Sequence, residues 1–133
     1  MDNCIFCKIA KGEEKCWKVF ENDNVVAFFD YNPVNEYHTL VIPKQHYKDI
    51  FNTPKEELQH IISAIKEIVT IYREKLGINN IQIINSSGEE AQQDVFHIHF
   101  HIVPRKIGDG QDIKWKPKEA IRKEFDVLLT KIY

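Results

Sequence analysis

Three histidines stand at every second position in the run His97-Ile98-His99-Phe100-His101, just ahead of Ile102-Val103-Pro104-Arg105. Two more, His38 and His46, bracket the apolar stretch Thr39–Pro43, and only His60 stands outside any pattern. Alternation is the period of a β-strand, so the three imidazoles share one face while Ile98 and Phe100 turn to the other. Packing does not call for such a face, because a buried imidazole needs a hydrogen-bond partner. The trio therefore points to chemistry. Neutral imidazole is a nucleophile and proton carrier near neutral pH. It can accept a phosphoryl or nucleotidyl group, splitting one hard displacement into two easier ones. Same-face neighbours lie about 7 Å apart along a strand, close enough to address one phosphorus centre or one metal ion, and spacing alone leaves both open. The loop ahead of the trio favours phosphate, since Ser86, Ser87, Gly88, Gln92 and Gln93 offer hydroxyl, amide and backbone donors. Asp94 brings a negative charge close by.

Cys4-Ile5-Phe6-Cys7 has the spacing of half a zinc site. A redox pair is the rival, but no βαβ pattern of the thioredoxin type surrounds it. A metal needs two further ligands. Cys16 has no partner at a telling distance and reads as an ordinary, at least half-buried thiol.

Five strands are needed to carry these residues. Lys18–Glu21 and Val25–Asp30 are strand-like about the turn residues Asn22-Asp23-Asn24; Thr39–Pro43, Ile81–Ile84 and His97–Val103 follow. Cys4–Ala10 forms a short turn or helix ending at Lys11-Gly12. A long helix is predicted over 54–76, with Thr53 as N-cap, Pro54 at the first helical position and Glu56 completing a capping box. Apolar positions 58, 61, 62, 65, 68, 69, 72 and 76 trace one face, and Gly77 ends it. A last helix, about 117–132, opens at Pro117 and presents Ile121, Phe125, Leu128, Leu129 and Ile132. Strands joined by short turns with helices packed on them make an α+β fold on an antiparallel five-stranded sheet. The 133 residues contain no repeat, linker or low-complexity segment and read as a single domain, 1–133.

Composition narrows the function classes. A net charge of -2 argues against a nucleic-acid polymer or an anionic membrane as partner. No apolar run approaches the ~18 residues that span a bilayer. No basic segment followed by an apolar one opens the chain, so no secretory signal is read there. Three cysteines, an odd number, do not build a disulfide framework. The expected setting is a reducing compartment, the cytoplasm.

Taken together, these blocks resemble the histidine triad (HIT) family of nucleotide hydrolases and transferases. His97-Ile-His99-Phe-His101-Ile-Val is similar to its signature, His-φ-His-φ-His-φ-φ. Asp30, Pro33 and His38-Thr-Leu-Val-Ile-Pro-Lys-Gln-His46 resemble the family's second block, and Gly88 to Phe96 its phosphate loop. The likeness runs from about Cys4 to Arg105; Trp115 and the last helix fit the longer bacterial branch more loosely. It implies that His99 attacks the α-phosphorus and carries the nucleotidyl group, that His101 contacts phosphate, and that His97 and His38 set ring orientation and tautomer. Asp30 would take the ribose hydroxyls. Phe6, Ile9, Phe29, Tyr31 and Leu40 would form the purine slot, with Asn85, Ser86, Gln93, Asp94 and His101 at the nucleotide's phosphate. The family's zinc-bearing branch implies Cys4, Cys7, His46 and His97 as a structural zinc site, four ligands with none left for substrate. It also implies a homodimer with a continuous sheet, for which helix 54–76 is a candidate interface. This chain departs from the pattern in three places: Ser86 where Asn is usual, Gln92 where Gly is usual, and Asp94 where many relatives have Ser or Thr.

The function expected is thus cleavage of a nucleoside phosphoramidate, nucleotidyl ester or dinucleoside polyphosphate through a nucleotidyl-His99 intermediate. Two alternatives stand beside it. One is a metallohydrolase holding catalytic zinc with His97, His99 and His101, Asp94 being its carboxylate base. The other is a nucleotide-binding protein without catalysis.

Overall fold

The structure, a computed structural model, describes residues 3–133. Strands β1 (Lys18–Glu21), β2 (Val25–Phe29), β3 (Thr39–Pro43), β4 (Ile81–Ile84) and β5 (Phe100–Pro104) form one sheet in the order β1-β2-β3-β5-β4. Every neighbouring pair is antiparallel. Strand alternation then makes two cores. On one face Val25, Ala27, Val41, Phe100 and Ile102 pack with Ile61, Ala64, Ile65, Ile68 and Tyr72 of the long helix α2 (Lys55–Leu76). On the other, Val26, Phe28, Leu40 and Ile42 meet Phe6 and Ile9 of α1 (Ile5–Ala10). The two helices are unequal. Twenty-two residues cover the first face, whereas six residues of α1 cover only part of the second. That shortfall leaves room for a site.

Several predicted boundaries shift for local reasons. Pro54, not Thr53, caps α2, and it does so with an extended backbone and no side-chain hydrogen bond. The Thr53 hydroxyl instead donates to the Asp49 carbonyl at 2.6 Å, so the predicted capping box with Glu56 does not form. Gly77 ends the helix in the left-handed conformation, φ 68°, as its position predicts. Val25–Asp30 stops one residue early, at Phe29. The strand predicted at His97–Val103 runs Phe100–Pro104. Going back toward His97 the ladder meets Pro43, which has no N–H to give, and the Ile98 amide donates to the Tyr47 carbonyl instead.

The last helix differs most. A 3₁₀ stretch, Glu119–Glu124, leads into a short α3, Phe125–Thr130. Ile121, Phe125, Leu128, Leu129 and Ile132 are all exposed, so the apolar face expected to pack on the sheet is left largely open to solvent. Among the described residues no helix is long and apolar enough to cross a membrane.

The loop after β4 contains a 3₁₀ turn, Glu89–Ala91, closed by Gln92 at φ 71°. A side chain in the left-handed region costs roughly 1–2 kcal/mol that glycine does not incur, against the extra chain entropy glycine loses on folding. Gln92→Gly should therefore stabilise the protein, by up to about 1 kcal/mol. Urea unfolding of the two proteins checks this, and a lower midpoint for the variant would refute it.

Candidate active site

Burial of Ile98, Phe100 and Ile102 against α2 sends His97, His99 and His101 to the α1 side. His99 sits at the centre. Its Nδ1 lies 2.9 Å from its own chain's His97 carbonyl, an acceptor only, so Nδ1 carries the proton and donates. The lone pair is thereby left on Nε2. Phe6 meets this ring edge-on, centroids 5.2 Å apart, and meets Phe28 behind it at 5.7 Å, which fixes the imidazole plane. His99 is buried, yet it lines a cleft of about 550 Å³. A fixed ring, one tautomer and a nitrogen facing a cavity are the requirements of an imidazole nucleophile.

The proton order of the neighbouring pair follows from a single backbone bond. The Val34 amide donates to His38 Nδ1 at 3.1 Å. Neutral His38 must then carry its proton on Nε2, which lies 2.8 Å from His101 Nδ1. His101 Nδ1 accepts, so His101 carries its own proton on Nε2. The pair thus delivers a donor. Asp30 Oδ2 stands 3.4 Å from His38 Nε2 and 3.9 Å from His101 Nδ1. These three residues are close enough to suggest a metal site, but a metal would need the very His38 lone pair that the Val34 amide denies it. Burial keeps the pair neutral, with His38 pushed down and His101 pushed to about 4, the latter aided by its neighbours His99 and His38.

His97 faces elsewhere. Its Nε2–H donates to the Pro43 carbonyl at 2.9 Å, which leaves the Nδ1 lone pair toward the cysteines. Nδ1 is 3.4 Å from Cys4 Sγ and 3.5 Å from Cys7 Sγ, and Cys7 Sγ is 3.3 Å from His46 Nδ1. All four atoms lie within 4.8 Å of one another. Zinc–sulfur and zinc–nitrogen bonds at a tetrahedral angle set sulfur and nitrogen roughly 3.6 Å apart, so the donor set fits that ion. Burial, reinforced by the neighbouring Cys4, pushes the Cys7 thiol up to about 11. Because His97 is turned to this cluster, His97, His99 and His101 do not converge on one point. The metallohydrolase alternative loses its ligand set.

The cleft brings together residues far apart in sequence. Phe6, Ile9, Phe29, Tyr31 and Leu40 all line it, with Asp30, His99, His101 and Asp94. Asp94 Oδ1 lies 3.5 Å from His99 Nε2 and accepts from the Val95 amide at 2.9 Å. The loop residues behave otherwise. Gln93 is buried and fully engaged: Oε1 accepts from the Gly88 amide, and Nε2 donates to the Lys48 and Val95 carbonyls. It braces the loop and has no donor left for phosphate. Asn85 donates to the His99 carbonyl at 3.0 Å and accepts from the Ser87 hydroxyl. It holds the histidine strand from behind; neither it nor Ser86 lines the cleft. Sequence reasoning missed Trp17, which walls the cleft beside Tyr31, with ring centroids 6.4 Å apart. Glu14, Lys15, Cys16 and Val95 were likewise missed. Lone residues on a turn and a strand end carry no periodic signal that could have flagged them.

Comparison with known proteins decides the family. The model of the HIT domain matches residues 11–108. The chain belongs to the HIT family. An uncharacterized HIT-like protein of Methanocaldococcus jannaschii is 46% identical over 97% of this chain and 98% of its own. An adenosine 5'-monophosphoramidase of Candida albicans is 36% identical over 95% of this chain and 84% of its own. Among solved structures, a HIT family protein of Bacillus anthracis superposes with a TM-score of 0.89 at 38% identity, covering 98% and 95% of the two chains. A zinc-bound histidine triad protein of Mycobacterium smegmatis does so with 0.78 at 32% identity, covering 98% of each. The HIT fold seen in those structures is thus the fold of this sheet and its helices.

Burial of the HIT histidines ties stability to pH. Burial pushes His97 and His101 from 6.5 to about 4, so between these values the unfolded chain binds protons the folded one refuses. This contribution to stability is complete above about pH 6.5 and is lost as pH falls through 4. Urea midpoints should drop steadily from pH 7 to pH 4.5. Constant midpoints across that range would contradict the assignment.

Proposed function

We propose that this HIT protein hydrolyses nucleoside phosphoramidates or kindred nucleotidyl substrates through a nucleotidyl-His99 intermediate. One observation carries the reading: His99 donates Nδ1–H to the His97 carbonyl and so keeps the Nε2 lone pair for the cleft. The C. albicans monophosphoramidase supports the substrate class. Phe6, Ile9, Phe29, Tyr31 and Leu40 form the purine slot. Asp30, which lines the cleft with its Oδ1 held by the Asn32 amide at 2.8 Å, takes the ribose hydroxyls. His99 Nε2 attacks the α-phosphorus while the bond to the leaving group breaks, and the positive charge gained by the ring is shared with the His97 carbonyl through Nδ1–H. His101 donates Nε2–H to a phosphoryl oxygen, where negative charge builds. The departing amine takes its proton from solvent in the open cleft, and the Asp94 carboxylate then accepts one from the attacking water. Water releases the nucleotide and restores the free imidazole.

His99→Ala should lower kcat about 10³-fold or more while nucleotide binding persists, because base and ribose contacts act equally in ground and transition states. Mass spectrometry of enzyme quenched in turnover should find the nucleotide on His99. An unmodified protein, or a variant within tenfold of the parent rate, would defeat the mechanism.

The same reading gives the Cys4, Cys7, His46 and His97 cluster a structural zinc ion, supported by the donor geometry and by the zinc-bound M. smegmatis protein. Such an ion would tie α1 to the histidine segment through His97. Purified protein should hold about one zinc per chain. Cys4→Ser should lose it and lower the melting temperature by several degrees, since these ligands meet only in the folded chain. Elemental analysis and thermal melts decide the point; a metal-free protein with the parent's melting temperature would refute it. The reading also keeps the homodimer, for which the outward-facing Ile62, Ile71 and Leu76 of α2 supply apolar surface, and a reducing, cytoplasmic setting consistent with three free cysteines.

A further inference from the structure

The tautomer of His38 depends on where the Val34 amide points, and Val34 leads directly into a turn with an unusual backbone. The His38 amide donates to the Asn35 carbonyl at 3.2 Å, closing the turn Asn35-Glu36-Tyr37-His38. Tyr37, its third residue, has φ 65°. Turns of this shape ask for glycine or asparagine there, because a Cβ in the left-handed region is strained. Tyr37 is not free to relax. Its ring packs on Phe29 and Tyr72, centroids 5.8 and 5.5 Å away, and its carbonyl accepts from the Thr39 hydroxyl.

A clamp from another part of the chain holds the same turn. The Asn35 side-chain amide donates to Asp109 Oδ2 at 2.9 Å and to the Pro104 carbonyl at 2.8 Å. Asp109 accepts from Arg105 Nε and Nη2, each at 2.8 Å, and from the Lys106 and Gln111 amides at 3.0 Å. Five donors on one carboxylate exceed what turn closure requires. Arg105 is itself anchored to Gln82 in β4 and to Asp112. Asp109 thus joins the segment after β5 to the residue that shapes the turn, and the Val34 amide beside Asn35 orients the His38 ring.

We propose that Asp109 and Asn35 are positioning residues: they clamp the strained Asn35–His38 turn and thereby set the proton order from His38 to His101. Neither touches the cleft. The inference rests on the reading that His101 presents Nε2–H to the substrate phosphate. Without the clamp the Asn35 end of the turn is released, the Val34 amide beside it no longer points at Nδ1, and His38 samples both tautomers. His101 then loses its fixed donor.

The experiment uses the full chain labelled with ¹⁵N-histidine, comparing the parent with Asn35→Ala, Asp109→Ala and Asp112→Ala. Asn35→Ala is the mild variant, since it leaves the Arg105–Asp109 pair intact. Side-chain ¹⁵N shifts should show His38 and His101 protonated on Nε2 in the parent and in Asp112→Ala, but mixed in the other two. With adenosine 5'-phosphoramidate as substrate, kcat should fall roughly 10–100-fold in those two, as misplacement far from the chemistry can cause, with KM within about threefold. The Asn35 and Asp109 effects should not add in the double variant, because both break one link. Unchanged tautomers in folded Asn35→Ala would overturn the clamp, whatever the activity. Mixed tautomers at an unchanged kcat would uphold the clamp and overturn the role of His101.

Discussion

Ile98, Phe100 and Ile102 are buried among the residues of α2, and everything at the site depends on that anchoring. Three apolar side chains at alternate positions, each gaining roughly 1.5–3 kcal/mol from burial, hold the backbone of this segment in one register. The intervening histidines are then forced to the opposite face, where they cannot choose their neighbours. A slip of one residue would bury the imidazoles against α2 and expose the isoleucines, so the core that stabilises the protein also aims its chemistry.

Three imidazoles on one face nonetheless do three different things, because each has a different second partner. His97 is held by Pro43 and turned to the cysteines; His99 is held by its own backbone and turned to the cleft; His101 is held by His38. In each pair one atom's role is fixed by a backbone group that can only donate or only accept. The proton positions are therefore settled before any substrate arrives. Burial reinforces this by keeping His97, His101 and His38 neutral. Charged rings would repel one another and could not act as the acceptors this arrangement needs.

The shortness of α1 matters as much as what it carries. Six residues bring Phe6 and Ile9 onto the sheet and Cys7 to His46 and His97, with Cys4 as the cap whose sulfur accepts from the Cys7 amide at 3.3 Å. A longer helix would fill the face and close the cleft. Here Phe6 serves both cores of the site, edge-on to His99 and to His97. The cysteine cluster and His99 are thus two sides of one packing arrangement.

Much of this was legible in the residues alone. Strand alternation gave the shared face of His97, His99 and His101; the turn residues and the 3.6-residue period gave the five strands and α2 within a residue or two, save at β5; and the CxxC spacing marked half of the cysteine–histidine cluster. Those signals are local, and local periodicity reports which face a side chain takes. It does not report what stands opposite. That Gln93 and Asn85 brace the loop, that Trp17 walls the cleft and that the last helix keeps its apolar side chains exposed were decided by tertiary packing. So was the proton on His38, because the amide that dictates it is held by a turn strained at Tyr37 and tied to Asp109, 74 residues after Asn35. Sequence determined the kinds of groups and their faces; only the folded chain determined their partners, and the partners decide which nitrogen carries the proton.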